Sequence, residues 1–226
     1  MNTPKIKIIK NGPYLVTGNI KLSEKIITPN GMGYLWTEGR SLPQSESYAL
    51  CRCGQSKHAP FCDVAHRLFD FSGKETASKD PFSKRAQLLE GQGIDLLDDG
   101  RCAFARFCHR QNGDAWELTE ESSKLENRKE AITAAKECPA GRLVALDKSG
   151  HAMEEEYEPA IEIIQDPERE VSGGIFVKGK IAIESENGEL YEPRNRVVLC
   201  RCGHSTNKPF CDAAHVSYGF QDKIEK

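Results

Sequence analysis

Cys51-Arg52-Cys53-Gly54-Gln55-Ser56-Lys57-His58-Ala59-Pro60-Phe61-Cys62-Asp63-Val64-Ala65-His66 has a second version late in the chain. That copy reads Cys200-Arg201-Cys202-Gly203-His204-Ser205-Thr206-Asn207-Lys208-Pro209-Phe210-Cys211-Asp212-Ala213-Ala214-His215. Both follow C-x-C-x8-C-x3-H. Three thiols and an imidazole at fixed spacing, written twice, point to a metal site in each copy. The repeat extends upstream. Gly12-Pro13 followed by Tyr14–Val16, Gly18 and Ile20–Leu22 has the pattern of Gly173-Gly174, Ile175–Val177, Gly179 and Ile181–Ile183. Each copy is thus a small hairpin region leading to a ligand loop. The loops are introduced by strands at Ser47–Leu50 and Arg196–Leu199. Asp63 and Asp212 are expected to cap a short helix, which puts Cys62 with His66, and Cys211 with His215, on one face at i and i+4. Asn30-Gly31-Met32-Gly33 reads as a protruding loop.

The metal is read from the spacing. Zinc takes tetrahedral Cys/His sites and would hold a small domain together, but zinc knuckles favour two to four residues between cysteines. C-x-C suits a 2Fe-2S cluster more easily, with two thiolates on one iron and a thiolate plus imidazole on the other.

These residues closely resemble the CDGSH, or NEET, iron–sulfur family, whose pattern is C-x-C-x2-S/T-x3-P-x-C-D-G-S/A-H. Ser56 and Ser205, Pro60 and Pro209, Cys62-Asp63 and Cys211-Asp212, His66 and His215 all match. The departure is the family's glycine, here Val64 and Ala213. A glycine holds a positive φ that valine resists. The resemblance implies 2Fe-2S clusters on Cys51, Cys53, Cys62 and His66, and on Cys200, Cys202, Cys211 and His215. It also implies redox activity, lability at low pH and, in some members, cluster donation. One neutral imidazole in place of a thiolate raises the reduction potential and adds a protonation handle. Family members commonly dimerise through a shared β cap; one chain carrying two copies is expected to close on itself as a pseudo-dimer and stay monomeric.

Nine cysteines leave a third trio, Cys102, Cys108 and Cys138. A bacterial ferredoxin run is C-x2-C-x2-C with a remote C-P. Here the outer cysteines and Cys138-Pro139 are present and the middle position is Ala105. Three thiolates suit a 3Fe-4S cluster, or a 4Fe-4S cluster with one exchangeable iron; the competing reading is a degenerate fold with three buried core cysteines. Residues 93 to 147, with Trp116 and Cys138-Pro139-Ala140-Gly141-Arg142-Leu143, resemble divergent mono-cluster ferredoxin domains. His109 is a weaker candidate for a fourth ligand. His58, His204 and His151 read as surface groups, Trp36 and Trp116 as core. Arg52 and Arg201 are expected either to donate to cluster sulfides or to offset anionic charge.

Between the motifs, Phe69 to Gln92 reads as a linker. Ile94–Leu97 and Leu143–Leu146 read as strands. Ser122-Ser123 is expected to cap a helix through Leu125, Ile132 and Ala135 that Cys138-Pro139 ends. An acidic connection, His151 to Glu158, leads to a strand at Ile161–Ile164, and Gln221–Lys226 is a polar tail.

The chain has 226 residues, 38% hydrophobic and 29% charged, with a formal net charge of −3. That charge argues against a nucleic-acid partner. No apolar run reaches the ~20 residues of a membrane span, and Met1–Lys10 lacks a secretory core. Cysteines used as ligands rather than disulfides fit a cytoplasmic chain. No phosphate loop, nucleophile–base pair or nicotinamide fingerprint is present, so no enzyme activity is expected. The expected architecture is α+β and β-rich: two small NEET-like β-cap and cluster-binding units around a ferredoxin-like α+β insert, with boundaries at 1–78, 79–150 and 151–226. The expected function is electron transfer or redox sensing with a redox partner protein. The alternatives are cluster delivery to an apo-acceptor and a structural zinc-binding interaction module.

Overall fold

The computed structural model describes residues 3–222. The N-terminal unit holds β1 (Lys5–Ile8), β2 (Tyr14–Thr17), β3 (Lys21–Asn30), β4 (Gly33–Glu38) and β5 (Ser47–Leu50). The middle unit holds α1 (Phe82–Arg85), β6 (Gln87–Glu90), β7 (Asp95–Asp98), β8 (His109–Arg110), β9 (Gly113–Asp114), α2 (Ala115–Glu120), α3 (Leu125–Glu137) and β10 (Leu143–Leu146). The C-terminal unit holds β11 (Ala160–Asp166), β12 (Val171–Lys178), β13 (Ala182–Glu184), β14 (Arg196–Leu199) and α4 (Ala214–Ser217).

The two copies exchange strands. One sheet runs β13-β1-β2-β5 and the other β14-β12-β11-β3-β4. β1 pairs in parallel with β13, Ile6 opposite Ile183, and β11 pairs in parallel with β3, Ile161 opposite Leu22. Each sheet is therefore completed by a strand from the other half, about a pseudo-two-fold axis. The crossover turns match as well: Gly18-Asn19 and Gly179-Lys180 all have positive φ. The expected pseudo-dimer is present within one chain.

Alternation explains the layers. Ile6, Ile8, Tyr14, Val16 and Leu50 from one sheet meet Ile161, Ile163, Ile175, Val177 and Leu199 from the other in a shared core. The five-stranded sheet is also covered on its outer face. There Ile27, Phe176 and Val198 pack with Ala103, Ala105 and Phe107 of the middle unit, and Trp36 stacks on Phe107 at 4.4 Å. β12 is consequently buried on both faces. In the four-stranded sheet the positions matching Phe176 and Val198 are Leu15 and Ala49, and Leu15 is exposed. Only one sheet thus carries the middle unit.

The middle unit has its own core, in which Leu96, Leu118, Ala131, Ala134 and Leu143 join α2 and α3 to the β10-β7-β6 sheet. Two local expectations, the 69–92 linker and the Ser122 cap, are corrected. The 69–92 stretch is not a linker throughout, because α1 and β6 lie within it and β6 pairs with β7. Ser122 does not cap α3. It is fully buried and its Oγ accepts from the Gly93 and Ile94 amides at 2.8 and 3.2 Å, while the helix that does have a capping box is α2, through Asp114 and Glu117. The expected protruding loop at 30–33 is the tip of the β3–β4 hairpin, with Met32 exposed. Of the polar tail, Asp222 is tied to Arg201 and Gln165, and residues 223–226 lie outside the described residues.

Candidate metal centres

Each CDGSH-type loop is built by the same local bonds. The Cys51 and Cys200 amides donate to the carbonyls of Pro60 and Pro209, both at 2.8 Å. The Cys62 and Cys211 amides donate to Ala49 and Val198 at 2.9 Å. Ser56 and Ser205 hydroxyls donate across the loop to Phe61 and Phe210 at 2.6 and 2.7 Å. Asp63 does not cap directly. Its carboxylate accepts from Lys57 and Ala65 amides, and the residue before the helical turn is Val64, at φ 62°. Asp212 and Ala213, at φ 69°, repeat this geometry. The departure from glycine thus falls on a left-handed position, and a β-branched residue there is strained.

The donors come as two pairs per site. Cys51 Sγ lies 3.5 Å from Cys53 Sγ, and Cys62 Sγ lies 3.6 Å from His66 Nδ1. The counterparts are 3.6 Å for Cys200–Cys202 and 3.5 Å for Cys211–His215. Among the described residues no three His, Cys, Asp or Glu side chains converge on one ion. A tetrahedral zinc site brings four donors to one centre, whereas a two-iron cluster is gripped by one pair at each end. The residues present fit the second.

Charge is prepared in the same way. Cys51 and Cys200 are each held down to about 6, first by a hydrogen bond from the partner thiol and then, against burial, by loop amides. Cys53 and Cys202 are pushed up by sharing that proton and by burial. Each pair therefore supplies one thiolate readily. Burial lowers His66 and pushes His215 down to about 4, so both imidazoles are neutral, and available as ligands, at pH 7.

The hydrogen bonds of Arg52 and Arg201 within the protein go to the β cap and not to the donor sulfurs. Arg52 donates to the carbonyls of Gly12, Gly73 and Ile9 at 2.6–2.8 Å. Arg201 donates to Gly173 and Ile164 at 2.7 and 3.1 Å and pairs with Asp222. Both are buried ties between loop and β cap. The two loops also meet each other. A Cβ on Gly54 would sit 2.4 Å from the Cys202 carbonyl oxygen, and one on Gly203 would sit 2.7 Å from that of Cys53. Tyr14 extends this contact, its hydroxyl donating to Cys200 and Pro209 carbonyls at 2.8 and 3.1 Å.

Cys102, Cys108 and Cys138 line a single cavity with Ala105, Trp116 and Arg142. The 102–108 loop is held in shape by Phe104 and Arg106, both at positive φ. Arg106 is buried and clamps Asp166 through two bonds of 2.6 and 2.9 Å. The Phe104 amide donates to Cys102 Sγ at 3.3 Å. Cys108 is pushed up to about 12 by burial and by the neighbouring Cys138 and Cys102. A cluster of crowded, desolvated thiols relieves that cost by binding cationic iron as thiolates. The trio fits an iron–sulfur group with three thiolate ligands. His109 is exposed on β8 and does not line the cavity. His58, His204 and His151 are exposed as expected, and Trp116 is half-buried with its Nε1 donating to Asp98 at 3.1 Å.

Arg196, Arg106 and Arg142 have roles that motif reading missed. The Arg142 guanidinium, bonded to Asp98 at 2.6 and 2.7 Å, lies against Cys102. Arg196 opens the strand leading into Cys200, where the first copy has Ser47. That break in the repeat was the available signal.

Residues 11–67 and 172–216 match the family described as iron-binding zinc finger, CDGSH type, and residues 89–148 match the divergent 4Fe-4S mono-cluster family. Comparison with curated proteins and with solved structures gave no match. Among the described residues no helix is long and apolar enough to cross a membrane. With its donor pairs, its exchanged β cap and these matches, the chain is an iron–sulfur protein in which two segments matching the CDGSH-type iron-binding family flank a segment matching the divergent mono-cluster family.

Proposed function

We propose that the chain is an electron-transfer protein with two 2Fe-2S clusters and a third, three-thiolate cluster. Cys51, Cys53, Cys62 and His66 hold the first. Cys200, Cys202, Cys211 and His215 hold the second. Cys102, Cys108 and Cys138 hold a 3Fe-4S or 4Fe-4S group. The observation that carries this is the two-plus-two arrangement of donors, found twice. Such clusters supply one-electron chemistry. The protein's part is to fix the donors, keep the imidazoles neutral, and exclude water from the cysteine pairs, all four of whose thiols are buried. The chain acts as a monomeric electron carrier, each half extending the other's sheet through a parallel strand pair, and it carries no enzymatic reaction of its own. Its partner is a redox protein; the net charge of −3 and the absence of a basic motif count against nucleic acid.

One observation favours cluster delivery as a second reading. Cys62 and His66 are only partly buried, unlike Cys211 and His215. Incubating holo-protein with apo-ferredoxin separates the two. Reversible reduction with full cluster retention supports electron transfer. Quantitative passage of iron and sulfide to the acceptor replaces it with delivery.

A further inference from the structure

The two CDGSH-type sites are alike in donors and unlike in surroundings. Cys211 belongs to the buried group formed with Ala103, Ala105 and Phe107, which lie between Cys102 and Cys108 on the middle loop. Ala140, two residues past Cys138, lines both the middle cavity and the cavity that contains Cys211. Arg196 fastens this junction. It is 2% exposed, donates to the carbonyls of Cys138 and Ala135 at 2.8 and 2.6 Å, pairs with Glu154, and stands four residues before Cys200.

The N-terminal site has none of this cover. Its equivalent of Arg196 is Ser47, which is exposed, and its equivalent of Cys211 is the half-buried Cys62. Around His66 lie Val64, Leu68 and Phe69, all exposed, Leu68 at 83%. Its contact with the rest of the metal machinery is the reciprocal approach of Gly54 to Cys202 and Gly203 to Cys53.

We propose that the three sites are joined in series, middle to C-terminal to N-terminal, with the C-terminal site as the obligatory relay and the N-terminal site as the end that faces solvent. The proposal rests on the electron-transfer reading above and adds an order to it. Each step is a one-electron exchange between neighbours, one site oxidised as the next is reduced. The electrons come from an external one-electron protein reductant and leave to a one-electron acceptor.

Electron paramagnetic resonance of the full-length holo-protein reduced with dithionite tests the order. His66→Cys and His215→Cys each alter one 2Fe-2S signal and so assign both. Cys102→Ser with Cys108→Ser removes the middle centre. The expected result is loss of magnetic coupling and fast relaxation from the C-terminal signal alone, with coupling between the two 2Fe-2S signals retained. Arg196→Met removes no ligand side chain, since Arg196 reaches Cys138 only at its backbone carbonyl, and serves as the second variant; it is expected to weaken the same coupling with iron content unchanged. An equal effect on both signals, an effect on the N-terminal signal alone, or no effect overturns the series. A protein with two 2Fe-2S clusters and no third centre also overturns it, while leaving the two-cluster electron-transfer reading intact. A protein without iron overturns both.

Discussion

Gly54→Ala probes the closure of the two halves. Two costs arise. The first is backbone strain, since Gly54 has φ +75° and an L-residue in that region costs ~1–2 kcal/mol. The second is contact, since the added carbon would lie 2.4 Å from the Cys202 carbonyl oxygen, and forcing backbone apart costs ~1–3 kcal/mol by analogy with overpacked cores. Lower entropy of the unfolded chain returns ~0.5–1 kcal/mol. Gly100 isolates the first cost, because it has φ +77° and a Cβ added there would meet nothing within 4 Å. Gly100→Ala is therefore expected to cost ~0.5–1 kcal/mol, and Gly54→Ala ~2–4 kcal/mol. For a chain of this size, each kcal/mol moves Tm by about 2–4 °C. Thermal unfolding of holo-protein by circular dichroism, at one fixed scan rate, should show Gly54→Ala melting about 4–16 °C below wild type and Gly100→Ala within about 4 °C of it. Equal shifts in the two variants would refute the contact between the loops.

Val64→Gly is expected to stabilise the protein by about 0.5–1 kcal/mol, because relief of the left-handed strain at a half-exposed valine exceeds the glycine entropy cost; the reverse change, Ala213→Val, should destabilise, and a melt in the opposite order contradicts this. Burial would raise the Asp98 carboxyl, but bonds from Arg142, Gly100 and Trp116 outweigh it and hold the group below its ordinary value. A depressed folded pKa adds stability that is fully present above the unfolded value of ~3.9 and disappears as pH falls through the folded one. Asp98→Asn should therefore be less stable than wild type at pH 7, and the gap should close in acid; a pH-independent gap refutes the assignment. An iron chelator should strip the N-terminal site before the C-terminal one, since His215 is 3% exposed and His66 is not buried. Site-resolved loss followed with the His66→Cys marker checks this, and simultaneous loss would contradict it.

Much of the metal chemistry is legible in the sequence because it is local. C-x-C-x8-C-x3-H fixes four donors within one loop, and the strands before Cys51 and Cys200 follow from their apolar runs. The β cap is harder. β1 with β13, and β3 with β11, pair residues far apart in sequence, and no local pattern announces a parallel partner. Only the repeat itself implies the closure. Asp114 and Ser122 show how chemically similar residues mislead. Either can cap a helix, and tertiary burial sends Ser122 to the β7 entry instead. Arg52 and Arg201 read as groups for the cluster because of their place between two ligands. Both instead reach backbone carbonyls of the β cap, contacts between segments far apart in sequence that no local pattern announces. The asymmetry between the two sites lies in single replacements, Arg196 for Ser47 and Phe176 for Leu15, whose meaning depends on the middle unit packing against only one sheet.

The central claim is tested most directly by iron and acid-labile sulfide analysis of the purified protein, with electron paramagnetic resonance of the oxidised and reduced forms. Two 2Fe-2S clusters and one three-thiolate cluster predict roughly seven to eight irons per chain with matching sulfide, and reduced signals from two histidine-ligated 2Fe-2S centres. A colourless protein with stoichiometric zinc and no labile sulfide would contradict it.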